Sequence, residues 1–390
     1  MRELQAAVQG ASSANMTILE IGLVFVSLGL LSWLAIKLKI SNVPLFLLAG
    51  LALGKGGLAP LELSEEFLNV GAEIGALLLL LVLGFEYSAS ELVQSLRKRW
   101  HSGVVDILLN AFPAAGLAML LGYGPLGAIA FGGIMFVSSS GIASAMMRET
   151  GWAKSLVSKR ATGVLVLEDI LLAPYLPLIA TATLGIGLWS GLLSVGVALV
   201  ITLGLLLLSH GRELPGIRAL AQRGSGTLLL LVFGLALAVS AGANLAGFSG
   251  AIAAFFVGML LSGEVADSLR SRFAPLREIF SAIFFLFFGL SISYLDVLAV
   301  LPISLAFAAL GIAGKFGLGW WVGRDLTDRM SWKRIGAFLL ARGEFSMIIA
   351  STVVVDASMS QVKEITLGIV VVTTLASTLA IRALRSRLEK

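Results

Sequence analysis

Apolar runs of about twenty residues follow one another along almost the whole chain. A helix rises about 1.5 Å per residue, so a run of about 20 residues covers the roughly 30 Å hydrocarbon layer of a bilayer. The runs lack the alternation of apolar and polar residues that is typical of membrane-spanning β-strands. Charged residues make up only 13% of the chain, against about 25% in soluble domains. The sequence therefore predicts an all-α integral membrane protein with about 13 transmembrane helices. The predicted spans lie near residues 16–36, 42–58, 67–87, 102–121, 126–147, 159–182, 186–209, 225–243, 247–263, 278–294, 297–323, 333–355 and 362–381.

The basic residues predict the orientation of these spans. If the N-terminus lies outside, most of the 28 Lys and Arg residues fall in inner loops and the C-terminal tail, and only Arg2, Lys55 and Lys363 lie outside. Lys315 and Arg342 lie inside spans. We therefore expect the N-terminus outside and the C-terminus in the cytoplasm. The net charge of +5 then reflects this topology and does not indicate nucleic-acid binding. The absence of cysteine excludes disulfides and thiolate metal sites.

An internal repeat predicts that the two halves of the chain are inverted copies. The stretch EIGALLLLLVLGF begins at Glu73, and EIFSAIFFLFFGL begins 205 residues later at Glu278; Gly84 and Gly289 occupy equivalent positions. This offset maps span 3 onto span 10, and an odd number of crossings between them means that the halves run in opposite directions. Inverted repeats are typical of secondary transporters, whose ion site lies between the halves at the membrane midplane. The same offset pairs intramembrane polar residues: Asn110 with Lys315, Ser139 with Glu344, and Asp169 with Thr374.

Two spans contain residues that interrupt a helix. Span 5 carries FVSSSGIASAMM, in which residues 138–141 are weak helix formers whose hydroxyl groups compete for backbone hydrogen bonds. Span 12, its repeat mate, carries Gly343 between Arg342 and Glu344. We expect both helices to break and cross, with the two charges neutralising the half-helix ends. The alternative is an unbroken span 5 whose serines bond to the preceding turn.

The adjacent carboxylates Glu168 and Asp169 lie at the centre of span 6. A charged side chain at this depth costs roughly 2.5 to 3.5 kcal/mol, so it requires a cation, a hydrated cavity or both. Adjacent helix residues point about 100° apart. We therefore expect Glu168 to pair with Lys315 and Asp169 to bind a monovalent cation or a proton. Three serines are expected to complete an oxygen shell: Ser138, Ser139 and Ser140.

Other interpretations of these residues stay open. The Glu168 and Asp169 pair is purely structural if it only compensates Lys315 or Arg342. Lys315 is either a structural clamp or a direct proton carrier. Asp106 is expected near the inner end of span 4, where a carboxylate reaches the interface.

The ordered set of motifs resembles the Kef-type branch of the monovalent cation:proton antiporters. The motifs are EIGALLLLLVLGFE, SSSGIASA, LVLEDI, FSGAIAAFFVGMLLS, IFFLFFGLSI, Lys315 in span 11, and ARGEFSMII. The resemblance implies a thirteen-helix fold, broken helices in spans 5 and 12, a transport aspartate at Asp169 and a functional lysine at Lys315. It also implies a mobile core bundle, about residues 102–182 and 297–381, beside dimerisation helices, about residues 16–87 and 186–294. Glu168 stands where members of this branch carry Asp, Asn or Gln.

The resemblance further implies a homodimer in a bacterial inner membrane that transports K⁺ in preference to Na⁺. Many members carry a cytoplasmic nucleotide-binding domain after the last span, so an ungated protein, a separate cytoplasmic regulatory subunit and a longer chain all stay open.

We therefore expect a secondary active transporter that exchanges monovalent cations for protons at Asp169, and neither an enzyme nor a cofactor-dependent protein. One alternative is a passive or ligand-gated potassium channel, although the sequence has no TVGYG-like carbonyl filter. An intramembrane aspartyl protease is a second alternative, but its second aspartate is missing from the span centres.

Overall fold

The computed structural model describes residues 2–38, 40–54, 57, 65–85, 100–183, 225–245, 250–261, 263–353, 359 and 361–385, and every regular element within these ranges is helical. The all-α prediction is therefore confirmed. The helices are α1 (Arg2–Leu38), α2 (Asn42–Leu53), α3 (Glu65–Phe85), α4 (Trp100–Leu120), α5 (Gly124–Phe136), α6 (Ser140–Glu149), α7 (Leu156–Thr183), α8 (Ser225–Leu245), α9 (Gly250–Leu260), α10 (Gly263–Leu290), α11 (Tyr294–Gly323), α12 (Ser331–Leu339), α13 (Glu344–Val353) and α14 (Val362–Arg385).

The described helices follow the predicted spans. Each predicted span except 186–209 overlaps a helix or a broken helix pair, and 186–209 lies outside the described residues. Within the described ranges, seven segments are long and apolar enough to cross a membrane, or eight if the bent α12 and α13 pair counts as one. The largest difference is in α10, which begins at Gly263 instead of near 278 because the helix continues through Pro275.

Spans 5 and 12 are both interrupted, and their interruptions cross. The α5 helix ends at Phe136 and α6 begins at Ser140, where the Ser139 hydroxyl accepts a hydrogen bond from the amide of Ile142 at 3.3 Å and caps α6. The α12 and α13 helices differ in direction by 41°. The Ser139 amide donates to the Ala341 carbonyl at 2.8 Å, so the two breaks touch. The prediction of crossing broken helices is confirmed, and the alternative of an unbroken span 5 is wrong.

The repeated glycines explain how the two halves pack. Gly289 in α10 lies against Gly50 in α2, and a Cβ atom on Gly50 would stand 2.8 Å from the Gly289 Cα and collide with the Leu286 carbonyl. Its repeat mate, Gly84 in α3, lies against Gly258 in α9, where an added Cβ would be 3.0 Å from the Gly84 Cα. Small residues allow such close backbone approach between membrane helices. The repeat therefore corresponds to two equivalent helix contacts.

Aromatic packing holds α5 against α11. The ring of Phe131 stacks on that of Phe307 with centroids 4.4 Å apart and an interplanar angle of 12°, and both side chains are fully buried. This contact fixes the first half of broken span 5 beside the helix that carries Lys315. The division into a mobile core bundle and dimerisation helices stays a prediction.

Candidate functional site

The Lys315 ammonium lies at the centre of a buried polar cluster. Its Nζ atom is 2.9 and 3.0 Å from the two carboxylate oxygens of Asp106, 2.9 Å from Glu168 Oε1 and 2.7 Å from the carbonyl oxygen of Phe136. Both ion pairs join side chains that are at most 1% exposed. A lysine has three N–H donors, so these contacts use all of them. The expected pair between Glu168 and Lys315 is present, and Lys315 binds a second carboxylate as well.

Glu168 links this ammonium to broken span 5. Its Oε2 atom accepts a hydrogen bond from the Ser138 amide at 2.5 Å. The amides next to a helix N-terminus have no partner within the helix and carry partial positive charge, which a carboxylate stabilises. Glu168 therefore bonds both to Lys315 and to the backbone just before α6.

Arg342 satisfies the carbonyl groups on the other side of the crossing. Its guanidinium donates to the Met135 carbonyl at 2.6 Å, to the Leu339 carbonyl at 3.4 Å and to the Ser138 hydroxyl at 3.1 Å. Met135 lies in the last turn of α5, and Leu339 ends α12. Cations stabilise the partial negative charge of helix C-termini, and Arg342 is fully buried here. The prediction that Arg342 neutralises half-helix ends agrees with this geometry.

Glu344 and two threonines complete the crossing. Glu344 is the first residue of α13, and its Oε2 atom accepts a hydrogen bond from the hydroxyl of Ser139, its repeat mate, at 3.2 Å. On α14, the Thr374 hydroxyl donates to the Arg342 carbonyl at 3.1 Å. The Thr373 hydroxyl accepts from the Arg342 amide at 3.3 Å. The interrupted backbone of span 12 is thus bonded by side chains of α14 and of span 5.

The three serines predicted to form an ion shell differ in their surroundings. The Ser138 hydroxyl donates to the Leu339 carbonyl at 2.9 Å, and the Ser139 hydroxyl donates to Glu344. Both hydroxyl groups therefore hold the crossing together in this conformation. Ser140 is half-buried and lines a cavity. Ser139 lines the same cavity. A shell formed by all three serines stays a prediction.

Asp169 follows Glu168 on α7 and is 2% exposed. Since adjacent residues point about 100° apart around a helix, Asp169 projects in a different direction from the carboxylate that contacts Lys315. Transport at Asp169 stays a prediction.

A cavity of about 740 Å³ leads to the crossing. Helices α1, α2 and α10 form one wall, and the other wall includes Ser139, Ser140 and Glu344. Charged residues also line it: Arg148, Glu149, Arg277 and Glu278. By the predicted topology, these charged residues lie on the cytoplasmic side. A space of this size, with hydroxyl and charged side chains among its lining residues, has room for many water molecules, so a hydrated cation can approach the crossing.

The expected interfacial position of Asp106 is wrong. The described part of α4 runs from Trp100, so Asp106 follows at least six helical residues, and its side chain is fully buried. A π-helical turn at Ile107–Ala111 follows directly, and such turns are frequent at functional sites. Two sequence signals pointed to Asp106: Asn110 lies four residues later on the same face, and Asn110 is the repeat mate of Lys315.

The family model described as "Sodium/hydrogen exchanger, transmembrane" matches residues 23–385. The chain belongs to the sodium/hydrogen exchanger family. It is therefore an integral membrane protein that exchanges cations for protons, and the predictions of family and of function class are confirmed. The assignment to the Kef-type branch stays a prediction.

Two curated relatives agree with this assignment. The chain is 28% identical over 342 residues to the ammonium/H⁺ antiporter subunit AmhT of Alkalihalophilus pseudofirmus, with 85% of each protein covered. It is 28% identical over 349 residues to the K⁺/H⁺ antiporter subunit KhtU of Bacillus subtilis, with 86% of this chain and 85% of that protein covered. Neither the potassium channel nor the aspartyl protease alternative is favoured.

A solved structure has the same fold. The sodium proton antiporter MjNhaP1 from Methanocaldococcus jannaschii, determined at pH 8, superimposes with a TM-score of 0.64. The match covers 95% of this chain and 99% of that one at 19% sequence identity. The sequence identity is low, so this likeness concerns the fold.

Proposed function

We propose that this exchanger moves a monovalent cation, K⁺ in preference to Na⁺, against protons by alternating access at Asp169. One carboxylate binds either a proton or a cation that has shed most of its water. If the site opens to each face of the membrane in turn, this competition couples the two fluxes. The observation that carries the proposal is a buried carboxylate next to a crossing of broken helices, which a large cavity reaches with serine and charged side chains in its wall.

In this proposal the neighbouring acids hold the lysine, and the exchange takes place at Asp169. Glu168 bonds to Lys315 and to the Ser138 amide, and Asp106 bonds to Lys315. A cation at either carboxylate would have to displace an ammonium group that a low-dielectric environment holds strongly. In this proposal Lys315, Arg342 and Glu344 compensate charge.

The choice of cation rests on ligand chemistry and on the relatives. Alkali cations are hard and take oxygen ligands, which carboxylates, serine hydroxyls and the carbonyls of a broken helix supply. Within the described ranges, no group of three or more His, Cys, Asp or Glu side chains could hold a resident metal. One relative is named for K⁺ and another for ammonium, two cations of similar size, whereas the solved structure is of a sodium antiporter. The proposed cycle uses no cofactor.

Assembly and location are part of the same proposal. We infer a homodimer in the bacterial inner membrane, with the N-terminus outside and the C-terminus in the cytoplasm. The basic residues of the inner loops support this orientation. Both curated relatives are named as subunits, which supports a separate regulatory subunit here.

Transport by purified protein in proteoliposomes tests the proposal. A trapped pH dye should report proton movement when K⁺ is added and a weaker response to Na⁺ or Li⁺, with and without an imposed voltage. Asp169→Asn should abolish the response. Asp325→Asn, which alters an exposed carboxylate outside the site, should retain it. Exchange at the wild-type rate in Asp169→Asn would remove this residue from the mechanism. Single-channel currents in a planar bilayer would show that the protein is a channel and would contradict the exchange mechanism.

A further inference from the structure

We propose that Asp106 is a positioning residue of the exchange reaction: it anchors Lys315 from α4 and supplies negative charge that strengthens cation binding at Asp169. This inference rests on the proposed function. It adds a residue that the sequence placed near the interface.

The first argument is geometric. Both carboxylate oxygens of Asp106 contact Lys315, at 2.9 and 3.0 Å, whereas Glu168 contacts it through one oxygen. Asn110 donates to Asp106 Oδ1 at 2.8 Å and fixes the carboxylate from one turn further along α4. All four side chains are buried. Asp106 therefore keeps the ammonium paired when Glu168 changes its protonation or its partner.

The close approach of α4 to α11 supports this arrangement. A Cβ atom on Gly314 would collide with Asn110 Oδ1 and with the carbonyl oxygen of Leu109, so glycine is the residue that fits beside Lys315. The contact lies at the π-helical turn Ile107–Ala111. A π turn shifts the register of a helix locally, and here Asp106 and Asn110 reach the same side chain cluster.

The second argument is the charge balance. Asp106, Glu168 and Asp169 carry three negative charges when ionised, and Lys315 and Arg342 carry two positive charges. One negative charge is thus in surplus among these five buried groups. A single cation or a single proton at Asp169 neutralises it.

The charged groups that act on Asp106 come from every helix packed against it. Lys315 on α11 and Glu168 on α7 contact the cluster directly, and Arg342 interacts with it from the break of span 12. Without the charge of Asp106, the five groups would already be neutral, so both protons and K⁺ would bind Asp169 more weakly. A unit charge roughly 10 Å away at an effective dielectric constant of about 20 changes such an affinity about tenfold.

The test compares pH profiles in proteoliposomes. For Asp106→Asn we expect the pH of half-maximal exchange to fall by about one unit and the apparent KM for K⁺ to rise about tenfold. Asp106→Glu keeps the charge, so its profile should stay near that of the wild type even if its maximal rate falls. If Asp106 had only a structural role, both substitutions would lower the rate of exchange without moving the pH profile. Asp325→Asn is the matched surface control.

The outcomes separate this inference from the proposed function. If Asp169→Asn is inactive while Asp106→Asn has the wild-type pH profile and KM, the role of Asp106 is wrong and the exchange site stands. If Asp169→Asn still exchanges, the proposed function itself fails. If Asp106→Asn does not fold, Asn110→Ala is the variant to measure. Loss of the hydrogen bond from Asn110 makes the ionised form of Asp106 less stable, so the pH profile should shift in the same direction but by less. An unchanged profile in Asn110→Ala would then count against the proposal.

Discussion

The glycine contact between α2 and α10 yields a quantitative prediction for Gly289→Ala. A Cβ atom on Gly289 would lie 2.5 Å from the Leu47 carbonyl oxygen, 2.9 Å from the Gly50 Cα and 3.0 Å from the Leu51 amide nitrogen. All three neighbours are backbone atoms, so no side chain rotation can relieve the overlap. The helices must separate by roughly 1 Å to reach an ordinary contact distance.

The expected loss of stability follows from this separation. Overpacking of a tight contact costs about 1–3 kcal/mol, and replacing glycine by alanine in a helix returns up to about 1 kcal/mol. We expect Gly289→Ala to lower the free energy of unfolding by about 1–2 kcal/mol. Gly258→Ala, at the equivalent contact between α9 and α3, should have a similar effect, because its added Cβ would stand 3.0 Å from the Cα of Gly84, the repeat mate of Gly289.

Unfolding in mixed micelles under a denaturing-detergent titration measures this difference. Gly234→Ala is the control, since a Cβ at this position of α8 meets no atom of the described residues within 4 Å. We expect this variant to be as stable as the wild type or slightly more stable. If Gly289→Ala is as stable as Gly234→Ala, the close contact does not restrain the helices, and the explanation of the glycine repeat is refuted.

Three further predictions concern the site and its surroundings. Lys315→Met leaves two buried carboxylates without their cation and should destabilise the protein by about 3–5 kcal/mol in the same titration. If this variant is as stable as the wild type, the ion pairs of Lys315 do not stabilise the fold. Tyr175→Phe removes a hydrogen bond of 2.7 Å to the Ile129 carbonyl and should cost about 0.5–1.5 kcal/mol, with no change in the pH profile of exchange. The hydrogen bond from Arg160 lowers the pKa of Asp325, so the coupling between these two exposed side chains, measured as a double-mutant cycle of melting temperatures, should be present at neutral pH and disappear as acid titrates Asp325; a pH-independent coupling would argue against the ion pair.

The sequence predicted the features that follow from local chemistry. Serines at 138–140 and Gly343 disfavour helix, and both spans break there. The pair of Glu168 and Lys315 was predictable because two opposite charges inside a membrane are stable only together. The constant offset correctly brought Ser139 to Glu344.

The role of Asp106 could not be read from hydropathy. A window of apolar residues does not locate the first turn of a helix, and the described part of α4 already includes Trp100, six residues before Asp106. The backbone donors and acceptors at the crossing were also hidden, because the Phe136 carbonyl and the Ser138 amide become available only where the helix breaks. Tertiary contact decides both features.

The water-accessible cavity changes how a transmembrane voltage acts on this protein. The cavity extends to Ser140 and Glu344. Mobile ions inside it keep its inner end close to the electrical potential of the adjoining solution. Most of the voltage then falls across the protein on the opposite side of the crossing. Moving one charge through a full potential of 100 mV corresponds to about 2.3 kcal/mol, and here that work is concentrated over a short path. Small displacements of charged residues beside the crossing are thereby made sensitive to the membrane potential.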